Sequence, residues 1–215
     1  GGLGQACQLM AESLVRKNVD VTFVVLGEND DDVAHEFMKI LPATNVKVDS
    51  VHEVSPYKSS YWMALTKDGK YKPIGTMAEL VELYTAGVLK MAAEGAFDDI
   101  EIVHAHDWLT AKAAIELKKQ YGLPFAFHVH ATEYDRAAGK YGNGYVGSIE
   151  YSAIQNADLI FPVSYYTGGI LVDHYGADPA KIRVAHNGPS HSLVERVSNK
   201  QEYQGAIEYV EMLKD

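Results

Sequence analysis

Apolar positions along the chain follow two different periods. Apolar side chains recur every three or four positions between residues 3 and 17, which predicts an amphipathic helix. Residues 21–26 are then apolar and mostly β-branched, a pattern typical of a parallel strand that is covered on both faces. The chain therefore begins with a helix that is followed by a buried strand.

Beyond residue 78 the two periods alternate regularly. Helical spacing occupies residues 80–91, 109–121, 146–156 and 166–175, and short apolar runs predict strands at 100–104, 124–130, 159–163 and 182–185. Gly122 and Gly176 directly follow two of these helices, where glycine commonly ends a helix. Repeated strand–helix–strand units predict an α/β fold, a three-layer Rossmann-like parallel sheet of about six strands with helices on both faces. Ligands of such sheets bind at the carboxyl ends of the strands.

Two stretches depart from the alternation. Residues 27–76 contain only short strand-like pieces, at 46–48 and 61–65, and a turn at 67–70. Residues 189–215 carry one apolar stripe at helical spacing, which predicts an amphipathic helix. We therefore divide the chain into a Rossmann-like domain, residues 1–188, and a tail, residues 189–215.

Composition and charge narrow the function classes. The 215 residues are 47% hydrophobic and 22% charged, with a formal net charge of −10 and no basic stripe, which argues against a nucleic-acid partner. No apolar run approaches the roughly 20 residues that span a bilayer. The acidic run at residues 28–36 is interpreted as a solvated loop. The single cysteine, Cys7, allows no internal disulfide, so we expect a reducing compartment, the cytoplasm.

Histidines and a carboxylate follow two neighbouring predicted strands. His104 and His106 share one face of the first strand and precede Asp107, and His128 and His130 share one face of the next. Such H-x-H pairs suit either a metal site or the recognition of sugar hydroxyls. We expect the two deeper rings to be buried and satisfied by backbone groups, and the residues at the strand tips to be functional.

Two glycine-rich stretches are candidates for binding. The segment Gly1-Gly2-Leu3-Gly4 directly precedes a helix, where glycines let a backbone approach a phosphate and the helix terminus favours an anion. The alternative is a flexible terminus, and neither the dinucleotide fingerprint nor the P-loop motif is present. The polar segment 134–144 is either a mobile lid or a solvated connection.

Four ordered segments resemble the N-terminal domain of GT-B glycosyltransferases, in the group of retaining enzymes that includes glycogen and starch synthases. They are the glycine segment 1–4, EIVHAHDWLT at 101–110, FHVHATE at 127–133, and the run 157–188 with its AD, VS, KI and NG pairs. The order and spacing of these segments cover residues 1–188.

The resemblance implies a function and a role for each segment. It implies transfer of a sugar from a nucleotide-diphospho-sugar to a glycan or another acceptor in carbohydrate metabolism, as in glycogen synthase, with no metal and no other cofactor. The implied site residues are the backbone amides of Gly2, Leu3 and Gly4 for the donor diphosphate; His130 near the reacting carbon and Asp107 on the acceptor side for catalysis; His106, Trp108, Glu133 and Arg136 for the acceptor or sugar; and Asn187 and Gly188 for the interdomain hinge.

The chain also departs from the family pattern. In this family a strand precedes the glycine segment, and a second domain with most of the nucleotide-sugar contacts follows the hinge. Only 27 residues follow Gly188 here. We therefore expect a piece of a longer enzyme, with the C-terminal donor-binding domain absent and negligible activity for the chain alone.

Two other functions are compatible with the same residues. One is a metal-dependent hydrolase that uses the four histidines of the H-x-H pairs, His104, His106, His128 and His130. The other is a non-catalytic interaction module that kept the fold, because a fold does not determine a function.

Overall fold

The computed structural model describes residues 2–27, 38–44, 61–65, 71–140 and 142–188. Helices and strands alternate over most of this part of the chain. The strands are β1 (Thr22–Val25), β2 (Lys39–Pro42), β3 (Tyr61–Leu65), β4 (Tyr71–Thr76), β5 (Val103–His106), β6 (Phe125–Val129) and β7 (Leu159–Pro162). The helices are α1 (Gly2–Val15), α2 (Met77–Ala93), α3 (Asp107–Tyr121), α4 (Glu133–Arg136), α5 (Gly144–Asn156) and α6 (Tyr165–Tyr175).

A parallel sheet of three strands, in the order β5-β6-β7, forms the centre of the fold. Helix α3 connects β5 to β6, and α5 lies between β6 and β7, as parallel strands require a crossover. Ile182 forms a parallel bridge to Ile160 of β7, and the N–H groups of Arg183 and Ala185 donate to carbonyls of β7, so the predicted strand at 182–185 runs beside β7. The carboxyl ends of β5, β6 and β7 meet at one edge of the sheet.

The main core lies on one face of this sheet. Phe125, Phe127 and Ile160 point into it and are almost completely buried. The helices α3, α5 and α6 cover this face, and their alanines, such as Ala111 and Ala153, let the helix backbones approach the sheet closely. Because strand residues alternate between faces, the histidines of β5 and β6 lie on the opposite face.

A second parallel pair, β1 with β2, packs beside α2. The Tyr84 hydroxyl of α2 donates a hydrogen bond to the Val24 carbonyl at 3.4 Å. Gly87 touches the chain just after β2, where a Cβ atom would lie 1.8 Å from the Ala43 carbonyl oxygen. The contact therefore requires glycine. Helix α2 begins at a capping box of Thr76 and Glu79.

The α/β fold class is confirmed, with parallel sheets flanked by helices. The single sheet of about six parallel strands is not what the described residues form, because they divide into two parallel groups and the antiparallel hairpin β3–β4. Strand β4 was not predicted, since Lys72, Pro73 and Gly75 interrupt its apolar pattern. The acidic run 28–36, the strand-like piece 46–48, the turn 67–70 and the tail 189–215 lie outside the described residues.

No helix in the described ranges is both long enough and apolar enough to cross a lipid bilayer.

Candidate functional site

Four histidine rings lie together on the sheet face opposite the main core. The parallel register pairs His106 with His128 across β5 and β6. His104 precedes His106 by two residues, and His130 follows His128 by two, so all four share this face. Centroids of neighbouring rings are 4.6 to 5.4 Å apart. The sequence thus predicted both H-x-H pairs, and the sheet merges them into one cluster.

The two outer rings of the cluster form a direct pair at the sheet edge. His106 Nδ1 and His130 Nε2 are 3.1 Å apart, so one nitrogen donates its proton to the other. Burial is the main cause that lowers both pKa values, that of His106 to about 2. Both rings are therefore neutral at pH 7, and each presents one N–H and one lone pair.

Asp107 is the first residue of α3, and its side chain holds the backbone of His130 in position. Its Oδ1 accepts the backbone N–H of His130 at 2.8 Å, and its carboxylate also accepts the backbone N–H of Ala131. Its φ of 54° is in the left-handed region, where aspartate is one of the few tolerated residues. The residue is only 2% exposed, and burial raises its pKa to about 6. The prediction that Asp107 faces an acceptor is corrected, because its carboxylate points into the protein.

Trp108 is a core residue and not part of an open sugar site. Its side chain is 2% exposed and packs among Met77, Leu80 and Val146, with its ring edge-on to Tyr145. The predicted sugar contact by Trp108 is therefore wrong. The helical turn that starts at Asp107 directs the next side chain between α2 and α5.

Glu133 and Arg136 belong to a partly buried network that joins α4 to α5. Arg136 bonds Glu133 Oε2 at 3.1 Å, the Ala131 carbonyl at 2.9 Å and Glu150 Oε1 at 2.5 Å. Glu150 also accepts the Glu133 backbone N–H and the Tyr175 hydroxyl. These bonds hold the loop after β6 from inside, so the structure does not bring either predicted side chain forward as a free sugar ligand.

Sequence reasoning missed Glu150 and Tyr175. Glu150 lies on the buried face of α5 with Val146, Ala153 and Ile154, at helical spacing. A charged residue among apolar positions on one helix face was the available indication that a buried partner exists. The network also shows that residues 133–136 form a capped helix, with a Thr132–Asp135 capping box. Hydrogen bonds therefore hold the first residues of the predicted lid, 134–136, in place.

His128 is buried as expected, whereas His104 is only partly buried, and neither ring has the full set of partners that we expected. Within the described ranges, His104 Nε2 and both ring nitrogens of His128 have no hydrogen-bond partner. Burial lowers the pKa of His104 to about 4 and that of His128 to about 3, with neighbouring histidines adding to the effect. Both rings are therefore neutral at physiological pH.

The N-terminal helix lies at the same edge of the sheet. The Cys7 Sγ and one ring nitrogen each of His106 and His130 lie within 4.8 Å of one another. Helix α1 begins at Gly2, so residues 2–4 form its first turn rather than a preceding loop, which corrects the prediction. First-turn N–H groups still lack partners within the helix. Asn187 and Gly188 are exposed and follow the bridge at Ile182.

The arrangement provides two kinds of chemistry. Neutral imidazoles side by side can donate to and accept from vicinal hydroxyl groups. They can also bind a metal ion, and among the described residues two overlapping groups have converging ligand atoms. These groups are Cys7 with His106 and His130, and His104 with His106 and His128.

Comparison with known proteins identifies the family of the chain. The sequence profile of Glycosyltransferase Family 4 matches residues 1–192. An uncharacterized glycosyltransferase of Methanocaldococcus jannaschii is 24% identical over 191 residues, which are 87% of this chain and 42% of that protein. Glycogen synthase of Mycobacterium tuberculosis is 32% identical over 91 residues, 41% of this chain and 22% of that enzyme.

A further glycosyltransferase sequence and one solved structure are also similar to this chain. D-inositol 3-phosphate glycosyltransferase of Salinispora arenicola is 28% identical over 110 residues, 49% of this chain and 25% of that enzyme. A structure from sucrose-phosphate synthase of Thermosynechococcus elongatus superposes with a TM-score of 0.53 at 13% identity, covering 93% of both chains. This similarity supports the GT-B fold alone. The chain spans less than half the length of the curated relatives that it matches.

Proposed function

Because this chain belongs to glycosyltransferase family 4, we propose that it is the acceptor-side domain of a retaining, glycogen synthase-like enzyme. The enzyme would transfer a sugar from a nucleotide-diphospho-sugar to a glycan or another acceptor. The observation that carries the proposal is the neutral His106–His130 pair at the carboxyl edge of the sheet, 3.1 Å apart. Sheets of this class bind their ligands at that edge.

His130 is the proposed sugar contact. Its ring is partly exposed at the edge, and its Nε2 is held by His106, which leaves Nδ1 for a sugar hydroxyl. Asp107 fixes the backbone of His130 through the 2.8 Å hydrogen bond. We therefore assign Asp107 and His106 positioning roles, with His106 also able to reach the sugar.

Loss of the nucleotide diphosphate develops negative charge on the leaving group. The first turn of α1, with the backbone amides of Gly2, Leu3 and Gly4, is the proposed place for part of that charge. Gly4 is exposed, and a Cβ atom there would meet nothing within 4 Å, so packing alone does not demand glycine. Fixed dipoles of this kind stabilise an anion without a metal or another cofactor.

A second, donor-binding domain is part of the proposal. It would join this domain at the hinge of Asn187 and Gly188 and hold the nucleotide, while the acceptor lies against the histidine edge. Transfer requires donor and acceptor to be held together. The chain without that domain should bind nucleotide-sugar weakly and turn it over negligibly. The proposed compartment is the reducing cytoplasm, in keeping with the free thiol of Cys7.

The test compares two neighbouring histidines in the two-domain enzyme. We expect His130→Ala to lower sugar transfer about 100-fold, the usual effect of losing one preorganised contact to the reacting centre. His128→Ala should cost far less, because His128 is 4% exposed and lies one pair deeper in the sheet. The assay is glycosyl transfer from a nucleotide-sugar by folded variants, checked by circular dichroism.

Two results would contradict this assignment. Equal, small losses in both variants would remove His130 from the reaction. Vigorous transfer by the 215-residue chain without a second domain would refute the proposed division of the site between domains.

A further inference from the structure

The buried nitrogens of the inner histidines are unexplained by sugar transfer. His128 is 4% exposed, and neither of its ring nitrogens has a hydrogen-bond partner within the described part of the chain; the same holds for His104 Nε2. A buried polar group without a partner costs about 1–3 kcal/mol. A neutral ring carries one N–H and one lone pair, so these rings point to a ligand that accepts one lone pair from each.

The geometry of the rings identifies the class of ligand. One nitrogen each of His104, His106 and His128 lies within 4.8 Å of the other two. Metal–nitrogen bonds of about 2.0–2.1 Å in tetrahedral geometry place ligand nitrogens roughly 3.3 Å apart, so small rotations of the side chains close the set. Whichever nitrogen His128 contributes has no other partner to give up.

The chemistry of the three donor atoms limits which metal ions can bind. All three donors are imidazoles, which suit zinc, copper and nickel, whereas magnesium and calcium require oxygen ligands. A metal ion binds the lone pair of a neutral imidazole. Protonated rings at this spacing would instead repel both one another and a cation.

We propose that His104, His106 and His128 form a binding site for one divalent transition-metal ion of the class represented by Zn²⁺. The ion lies on the sheet face opposite the main core and takes no part in sugar transfer. His106 belongs both to this site and to the pair with His130, so occupancy of the metal site fixes the ring that orients the proposed sugar contact.

The overlapping group of Cys7, His106 and His130 is the competing assignment. In that group His106 and His130 already satisfy each other at 3.1 Å. A thiol ligand would also have to lose its proton before it binds a metal ion. The three-histidine group involves no thiol and gives a partner to one of the two orphaned nitrogens of His128.

The test is metal binding by the untagged protein after treatment with a chelator. We expect one Zn²⁺ per chain in equilibrium dialysis, and a visible Co²⁺ spectrum without a thiolate charge-transfer band. Replacing His128 or His104 by Gln should weaken Zn²⁺ binding by more than about 100-fold, since even the loss of a supporting partner costs about 10–100-fold. Cys7→Ser and His186→Gln, a change at an exposed histidine, should leave the affinity unchanged.

Each outcome decides for or against the site. Thermal unfolding in chelator first shows whether the His104→Gln and His128→Gln variants are folded like the parent. The site is supported if Zn²⁺ raises the melting temperature of the parent but not that of either variant. Absence of stoichiometric binding by the parent overturns it. Loss of binding in Cys7→Ser with retention in the two glutamine variants overturns it in favour of the thiol group. None of these measurements depends on sugar transfer, so the two proposals can fail separately.

Discussion

A single carboxylate, Asp107, links the end of β5 to the loop after β6. It follows His106 directly, and its side chain accepts the backbone N–H groups of His130 and Ala131. These bonds partly offset the cost of burying a charge, which nevertheless dominates and raises the pKa to about 6. The residue thus sets the position of the proposed sugar contact at some cost to the stability of the fold at neutral pH.

This balance gives a prediction for Asp107→Asn. A folded-state pKa of about 6, above the unfolded value of about 3.9, means that the folded state binds more protons between these pH values. The stability contributed by Asp107 is therefore greatest below about pH 4 and is lost as the pH rises to about 6. The free energy of unfolding of the parent relative to Asp107→Asn should fall over this interval, by at most about 1.4 kcal/mol per pH unit.

Urea unfolding between pH 4.5 and 7 measures this difference. Asp173→Asn, at an exposed position of α6, is the matched control and should show no such trend. A difference between parent and Asp107→Asn that is independent of pH would show that Asp107 does not titrate in this range. In the two-domain enzyme, Asp107→Asn should also lower sugar transfer, because one of its two backbone N–H groups then faces an amide NH₂ group.

At the scale of elements, helix placement depends on a few close contacts and one partly buried network. Helix α2 approaches the end of β2 through Gly87, and α5 is joined to α4 by Glu150 and Arg136. At the first contact the helix comes close because glycine has no side chain, and at the second contact oppositely charged side chains hold the two helices together. Both orient the helices that flank the histidine edge.

Two glycine-to-alanine changes should have opposite effects on stability. Gly87→Ala places a Cβ atom 1.8 Å from a backbone oxygen, which cannot move without shifting β2, so we expect a loss of more than about 2 kcal/mol. Gly147→Ala on α5 meets nothing within 4 Å and should stabilise the helix by about 0.5–1 kcal/mol. Denaturant melts of both variants test the packing, and equal effects would contradict the α2–β2 contact.

Removal of the charge at Glu150 should destabilise the protein. Glu150→Gln removes the closest countercharge of Arg136, which keeps its pair with Glu133, so we expect a loss of about 1–3 kcal/mol. Glu94→Gln, in an exposed pair with Lys90, should change stability by less than about 1 kcal/mol. The free energy of unfolding measures both, and similar small losses would show that the α4–α5 network is not a stabilising feature.

At the scale of the whole molecule, the sheet has two faces of different chemistry. One is sealed by apolar side chains of α3, α5 and α6, and the other carries four neutral histidines. Burial of uncharged imidazoles is compatible with the fold only while the rings remain unprotonated. The acid side of the stability curve should therefore be controlled by this cluster.

We expect stability to fall as the pH drops below about 6.5. The pKa of His104 is lowered to about 4 and that of His128 to about 3, so the unfolded chain binds protons first. Each ring contributes stability that is complete above about pH 6.5 and is lost toward its folded pKa, with a slope of up to about 1.4 kcal/mol per pH unit. Protonation of Asp107 stabilises the folded state as the pH falls, but it involves at most one proton and so only partly offsets the loss of stability from the histidines.

Urea unfolding in the presence of a chelator, between pH 5 and 8, tests the cluster. The double change of His104 and His128 to Gln should lower the slope of unfolding free energy against pH by an amount equivalent to at most two protons. His186→Gln, at an exposed ring, should leave this slope unchanged. An identical slope in parent and double variant would contradict burial of neutral rings at these positions.

The sequence by itself determined the α/β class, most helices, the strands of the central sheet, and the family to which the chain belongs. It did so because apolar period and glycine placement are local properties, and because motifs such as HAHDW are contiguous. It also determined that His106, Asp107 and His130 follow neighbouring strands, and the structure brings these three together.

Only the tertiary structure decided how each of those residues is used. Whether Trp108 faces a sugar or the core depends on which helices pack around it, and whether Arg136 is free depends on Glu150, 14 residues away in the chain. The described residues do not join into the single sheet of about six strands that we expected, because pairing between strands depends on contacts that no local pattern encodes. The convergence of three histidine nitrogens within 4.8 Å likewise follows from the parallel register of β5 and β6, which only the folded sheet fixes.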